Sequence, residues 1–100
     1  MQNKFLSLLG LCMKAGKAQS GEVACEAAVK GKKAKLIIVA CDASENTKTK
    51  FLNSARFYNT DLIEYGNKSE LGWALGKAER SVVAITDSGF AAKLKELSRS

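Results

Sequence analysis

Within the stretch "SGEVACEAAVKGKKAKL", residues 20 to 36, Glu22, Glu26 and Lys30 recur at four-residue intervals, with Lys32, Lys33 and Lys35 close behind. On a helix that interval sets two carboxylates and an ammonium along one line. Ammonium groups neutralise phosphates and carboxylates accept from the amino groups of bases, so these residue types suit recognition of charge and of hydrogen-bonding edges. Bond-making chemistry is poorly equipped. The chain has no histidine to move protons near neutral pH, and no glycine-rich phosphate loop or dinucleotide fingerprint follows any predicted strand. Asp42 and Asp87 fall just past strand ends, a common place for functional groups in α/β proteins. A helix-capping serine, Ser44 or Ser88, follows each, so turn formation accounts for both. No catalytic residue and no cofactor is expected.

The three cysteines, Cys12, Cys25 and Cys41, leave one unpaired in any disulfide scheme and lack metal-ligand spacing. They read as three small apolar core residues in a reducing compartment. No run of roughly 18 apolar residues could span a membrane, because Lys4, Lys14 and Lys17 interrupt the one candidate. "FLSLLGLCM" is short, follows a single lysine and has helical periodicity, so it does not read as a signal peptide. A cytoplasmic protein is the simplest expectation.

Charge placement is more informative than its total. Of a net charge of +6 over 100 residues, the first 35 residues hold seven lysines against Glu22 and Glu26, while the other 65 hold nine bases against eight acids. A positive field concentrated on one third of a chain favours a polyanionic partner, nucleic acid being the commonest. A solvated face that keeps the protein soluble is the plainer alternative.

The elements that must position these groups follow from periodicity. Without proline, repeat or low-complexity tract, residues 1 to 100 read as a single domain. Phe5, Leu8, Leu9 and Cys12 form the stripe of a helix from about Asn3 to Ala15 that stops at Gly16. A brief strand follows around Lys17 to Gln19. Ser20 is the expected N-cap of a helix from about Gly21 to Lys30, with Gly31 as its left-handed stop. "KLIIVAC" reads as a central strand, and Ser44 caps a helix with Thr47, Phe51, Leu52, Ala55 and Tyr58 inward. "DLIEY" is the next strand. Asn67 and Glu70 have capping-box spacing for the helix "KSELGWALG", "SVVAIT" is a further strand, and Ser88 caps a last helix with Phe90, Leu94 and Leu97 inward. This alternation predicts an α/β fold, a three-layer α/β/α sandwich around a small, largely parallel sheet.

Three blocks, "SGE" with its helix and "GKKAKLIIVACDAS", then "YGNKSELGWALGK", then "SVVAITDSGFAAKL", resemble the ribosomal kink-turn-binding proteins of the large-subunit "seven-Ae" type, and most closely their short bacterial relatives of the YlxQ type. The likeness runs from Ser20 to about Leu97, and K-x-E-L-G-x-A-x-G after a strand is its moderately specific element. It implies a mixed four-stranded sheet between helices and a non-catalytic role in binding RNA. The implied partner is a sharply bent duplex with sheared guanine-adenine pairs beside a bulge, of the kind ribosomal RNA contains.

The resemblance also implies a site. Ser20, Gly21, Glu22 and Val23 occupy the stretch where the family's "G-x-N-E" opens a helix and presses its N-terminus into the widened groove. Lys30 falls at a basic position of the family. The family's asparagine is Glu22 here, its glutamate is Val23, and a lysine that reaches a guanine edge is Glu26. Glu22 either reads a base edge or interacts with the helix N-terminus, and Glu26 either faces RNA or pairs with Lys30 at i, i+4. Lys14, Lys17, Lys32, Lys33 and Lys35 flank the surface as phosphate contacts or solvated lysines, and Lys68 begins a helix beside it. The loop Gly76 to Ser81, apolar in the family, offers Lys77, Ala78, Glu79 and Arg80, of which Arg80 would stack or pair with phosphate. Trp73 lies off its helix's inner face, where it would pack under a loop, mediate self-association or contact a partner. A protein-interaction module that kept the fold and lost the RNA site is the alternative function.

Overall fold

Side-chain caps start most of the helices seen in the computed structural model, which describes residues 3–99. Asn3 accepts from the Leu6 amide at 3.0 Å to open α1 (Lys4–Lys14), and Ser44 accepts from Thr47 at 3.2 Å to open α3 (Glu45–Tyr58). The capping box forms as its spacing predicts: Asn67 accepts from the Glu70 amide at 2.8 Å while the Glu70 carboxylate accepts from the Asn67 amide at 3.0 Å, opening α4 (Lys68–Leu75).

Three expected end signals shift by one residue. Asp87, not Ser88, caps α5 (Ser88–Ser98), because its carboxylate reaches the Phe90 amide at 2.9 Å and leaves Ser88 inside the first turn. Ser20 ends strand β1 (Ala18–Ser20), so Gly21 opens α2 (Glu22–Lys30) and no side chain caps it. Gly31 has an ordinary φ of −80°, and the left-handed residue after α2 is Lys32 at φ 58°.

The remaining strands are β2 (Leu36–Val39), β3 (Asp61–Glu64) and β4 (Val82–Ile85), in the sheet order β1-β4-β2-β3. β2 and β3 pair in parallel through the α3 crossover, whereas β4 runs antiparallel to both β1 and β2. The sheet is therefore mixed and four-stranded, as the resemblance implied, and corrects only the largely parallel sheet read from alternation: hydrophobic period reports burial and is blind to strand direction. α1 packs with α4 and α5, α2 packs with α3, and the sheet lies between the two groups. This is the three-layer sandwich expected.

Every residue of β2 and β4 is buried, as strands covered on both faces require. Phe5, Leu9, Phe51, Leu71 and Leu94 supply the helical share of the core. Leu52, expected inward, is 40% exposed. Cys12 and Cys25 are buried but Cys41 is exposed, so the expectation of three core cysteines holds for two. No helix among the described residues is long and apolar enough to cross a membrane.

Candidate nucleic-acid interface

The junction of β1 and α2 is built by the sheet. Ser20 lies opposite Val83, and the Gly21 amide donates to the Val82 carbonyl at 3.1 Å. Gly21 then turns the chain at φ 91° and ψ 155°, a backbone region open essentially to glycine. In consequence α2 begins with first-turn amides that no side chain caps, while Asn3, Ser44, Asn67 and Asp87 cap the other described helices. Such an end carries a positive dipole and amide donors suited to an anion.

The loop from Gly76 to Ser81 is folded back along α4 and tied to that junction. Gly76, left-handed, closes α4: its amide donates to Trp73 at 3.0 Å and the Lys77 amide to Gly72 at 2.8 Å. The loop then crosses Gly72 so closely that a Cβ there would lie 2.2 Å from the Ala78 carbonyl oxygen. Ser69 donates to the Glu79 carboxylate at 3.0 Å, and the Arg80 amide donates to the Lys68 carbonyl at 3.1 Å. The Arg80 guanidinium donates through Nε to the Ser20 hydroxyl at 3.2 Å and through Nη1 to the Ala78 and Glu79 carbonyls at 3.3 and 2.9 Å. Beside it the start of α4 is occupied, since Asp42 accepts from the Lys68 amide at 2.8 Å in addition to the capping box. Capacity for an anion therefore stays with the α2 end.

Glu22 and Glu26 have partners within the chain. The buried Thr47 hydroxyl donates to Glu22 at 3.0 Å. Lys50 sits 3.4 Å from Glu22 and 2.6 Å from Glu26, and Lys30 lies 3.2 Å from Glu26. Hydrogen bonds from Lys50 and then Lys30 hold the Glu26 carboxyl below its ordinary pKa, and the bond to Glu26 raises the Lys50 ammonium above its own. Two ammoniums thus balance two carboxylates at the α2–α3 contact. Thr47 was expected on the inner face of α3, where it is buried, but not as a partner of Glu22, and Lys50 was not singled out in the sequence. Their i, i+3 spacing on α3 was visible, but the packing that carries them to α2 is not.

The expected site residues fall into two groups. Ser20, Gly21, Glu22, Lys68, Lys77, Ala78 and Arg80 belong to the α2 opening, the start of α4 and the folded-back loop. α2 returns antiparallel to β1, so Lys30 and Lys33 lie at its far end, about 13 Å away by helical rise; Lys33 lines a groove with Thr86, whose amide donates to the Lys17 carbonyl before β1 at 2.9 Å. Glu26 lies between. Lys17, Lys33, Lys68 and Lys77 have no carboxylate within 4.0 Å among the described residues. Val23 is 86% exposed on the first turn of α2. Trp73 is 77% exposed, so it does not pack under a loop. No cluster of three potential metal ligands occurs among the described residues.

A three-layer α/β/α domain with a basic fringe and an open helix end beside a pinned loop is the class that fold and site define. Residues 3–95 match the Ribosomal protein L7Ae/L30e/S12e/Gadd45 family, and the chain belongs to it. It is 42% identical over 96 residues to the RNA-binding protein YlxQ of Enterococcus faecium, covering 96% of this chain and 92% of that one. To the RNA-binding protein YlxQ of Bacillus subtilis it is 37% identical, covering 94% of each. Among solved structures, a protein of unknown function from Bacillus halodurans superposes with a TM-score of 0.95 at 37% identity over 99% of this chain and 100% of that one. A 15.5kD RNA binding protein of Giardia lamblia shares the fold, with a TM-score of 0.77 at 19% identity over 97% and 92% of the two chains.

Proposed function

We propose that this protein binds RNA and recognises a kinked duplex, of the kind found in ribosomal RNA, by setting the open end of α2 into the distorted groove while loop 76–81 braces the adjoining nucleotides. The observation that carries the reading is the bond from Arg80 to Ser20, which joins the two elements into one rigid edge. Backbone amides of the first turn of α2 meet phosphate there, and Lys68 and Lys77 supply charge from the start of α4 and from the loop. Lys17, Lys30 and Lys33 add phosphate contacts along the flanking strand. Because Glu22 and Glu26 are already paired, shape and backbone contacts dominate selectivity over readout of a guanine edge. The protein acts by holding RNA in shape and needs no cofactor.

The test is a mobility-shift comparison of a kink-turn duplex with a straight duplex of equal length across a salt series. Preference for the kinked duplex, with affinity falling steeply as salt rises, is the expected result. Equal affinity for both would replace this reading with that of a protein-interaction module on the same fold.

A further inference from the structure

The turn between α2 and β2 sends its lysines two ways. Lys33 lines a groove on the β1 side with Gln19 and Thr86, whereas Lys32 and Lys35 line a separate groove on the β3 side with Asn59 and Thr60. The sheet fixes this second groove: the Lys35 amide donates to the Ile85 carbonyl at 2.6 Å, and Leu36, next in the chain, pairs with Asp61 in the parallel ladder. Lys32 sits at φ 58°, where glycine or asparagine would rest more easily, so an ammonium stands there against backbone preference.

This groove lies at the opposite pole from the α2 opening. Gly21 bonds to Val82, which pairs with Val39, and Lys35 stands four residues before Val39, about 13 Å back along β2. Its charge is one-sided. Lys32, Lys35 and Arg56, the last in the final turn of α3, are exposed and have no carboxylate within 4.0 Å among the described residues. Asp61, the acid that lines the groove, is balanced by Lys95 at 2.6 Å, and Asp87 nearby is occupied in capping α5. Apart from Ala34 and Tyr58 the lining is polar, which leaves a protein partner little to bury. A single strand would need exposed rings for its bases, but Tyr58 is half-buried and the exposed Phe57 does not line the groove. Ammonium groups beside the Thr60 hydroxyl and the Asn59 amide instead match the phosphates and 2′-hydroxyls that a duplex presents.

We propose that Lys32, Lys35, Arg56, Asn59 and Thr60 grip the backbone of a second RNA duplex, so that the protein bridges a kinked duplex at the α2 end and a neighbouring helix at the far pole. The inference rests on the RNA-binding reading and adds a separate contact surface to it.

The test adds a straight RNA duplex to protein already carrying one equivalent of kink-turn duplex, each RNA with its own dye. A slower band containing both is expected, with capture of the straight duplex indifferent to its sequence. Lys32→Asn, which suits the left-handed turn, combined with Lys35→Gln should weaken that capture and flatten its salt slope by about two. Affinity for the kinked duplex should stay unchanged. Displacement of the kinked duplex in place of a joint band, or a joint band whose salt slope the double variant does not alter, would overturn this inference and leave the proposed function standing. Polyglutamate of equal charge competing as well as the straight duplex would assign the pole to an acidic protein and overturn the duplex contact. Equal competition by single-stranded RNA would overturn it too. Absence of binding to either duplex overturns both readings, whereas loss of the preference for the kinked duplex, with the Lys32 and Lys35 effect intact, overturns the proposed function and keeps this surface.

Discussion

Arg80 donates to the Ser20 hydroxyl across 3.2 Å, and that one bond connects residues 60 positions apart. Since Nη1 is spent on the Ala78 and Glu79 carbonyls, the guanidinium is both a brace for the loop and a charge beside the α2 end. A lysine cannot reproduce this fork. Arg80→Ala should weaken RNA binding by about tenfold or more, the scale of a charge-assisted hydrogen bond. Arg80→Lys should restore most of the salt dependence and only part of the affinity. Equal affinities for wild type and Arg80→Ala in a titration at fixed salt would remove Arg80 from the interface.

Gly72 offers a steric test of the same edge. Alanine favours a helix over glycine, so Gly10→Ala and Gly72→Ala gain alike on propensity. Their surroundings differ: a Cβ at position 10 would sit 3.1 Å from the Ala74 oxygen, while at position 72 it would meet Ala78 at 2.2 Å and Glu79 Cα at 3.0 Å. Gly72→Ala should lose about 1–3 kcal/mol to overpacking, a fall in Tm of roughly 5–20 °C, and should weaken RNA binding by displacing the loop. Gly10→Ala should be close to neutral in both. Thermal unfolding and the mobility shift check the pair.

The Glu26 cluster sets an acid limb. Folding lowers this carboxyl's pKa, so the unfolded chain holds more protons as pH drops. The cluster's contribution is then present at neutral pH and is lost as pH falls below the ordinary value of 4.5 and through the depressed one. Glu26→Gln should flatten Tm against pH in that range, because it lowers the neutral value slightly toward the acid one and leaves the acid value little changed. Identical acid limbs for variant and wild type would mean that the ion pairs with Lys50 and Lys30 do not persist in solution.

Cysteine reactivity should single out Cys41. Burial pushes the Cys12 thiol up to about 11 and the Cys25 thiol up to about 12, and each donates to a backbone carbonyl at 3.4 Å. A maleimide at about pH 8 should label one thiol quickly in the folded protein and three after unfolding, as mass spectrometry would show. Because folding raises these two pKa values, stability from keeping the thiols neutral is intact below 9.0 and declines as pH climbs toward 11 and 12. Rapid native labelling of Cys25 would contradict the buried position.

What the sequence made legible was local. The Asn67–Glu70 capping box, the Ser44 cap, the Gly16 turn and the two buried strands depend on neighbours within a few residues, and all formed where spacing placed them. Strand direction did not, because β4 reads the same whether it runs with β2 or against it. Ser20 looked like a cap because its type suits one, yet pairing with Val83 keeps it in the sheet and gives its hydroxyl to Arg80. The two carboxylates of α2 invited a reading toward RNA. Their partners Thr47 and Lys50 lie about two dozen residues on, out of reach of any local pattern. In the candidate site, residue types and the three contributing segments were legible, while the division of the lysines between the two ends of α2 required the fold.

The most direct measurement is a map of backbone amide shifts by heteronuclear NMR during titration with the kink-turn duplex. If the α2 end enters the RNA groove, the largest changes fall at Gly21, Glu22, Val23 and Ala24 and at Ala78 to Arg80, with α3 and α5 nearly silent. Changes centred on α3 or α5, with those amides unmoved, would contradict the account.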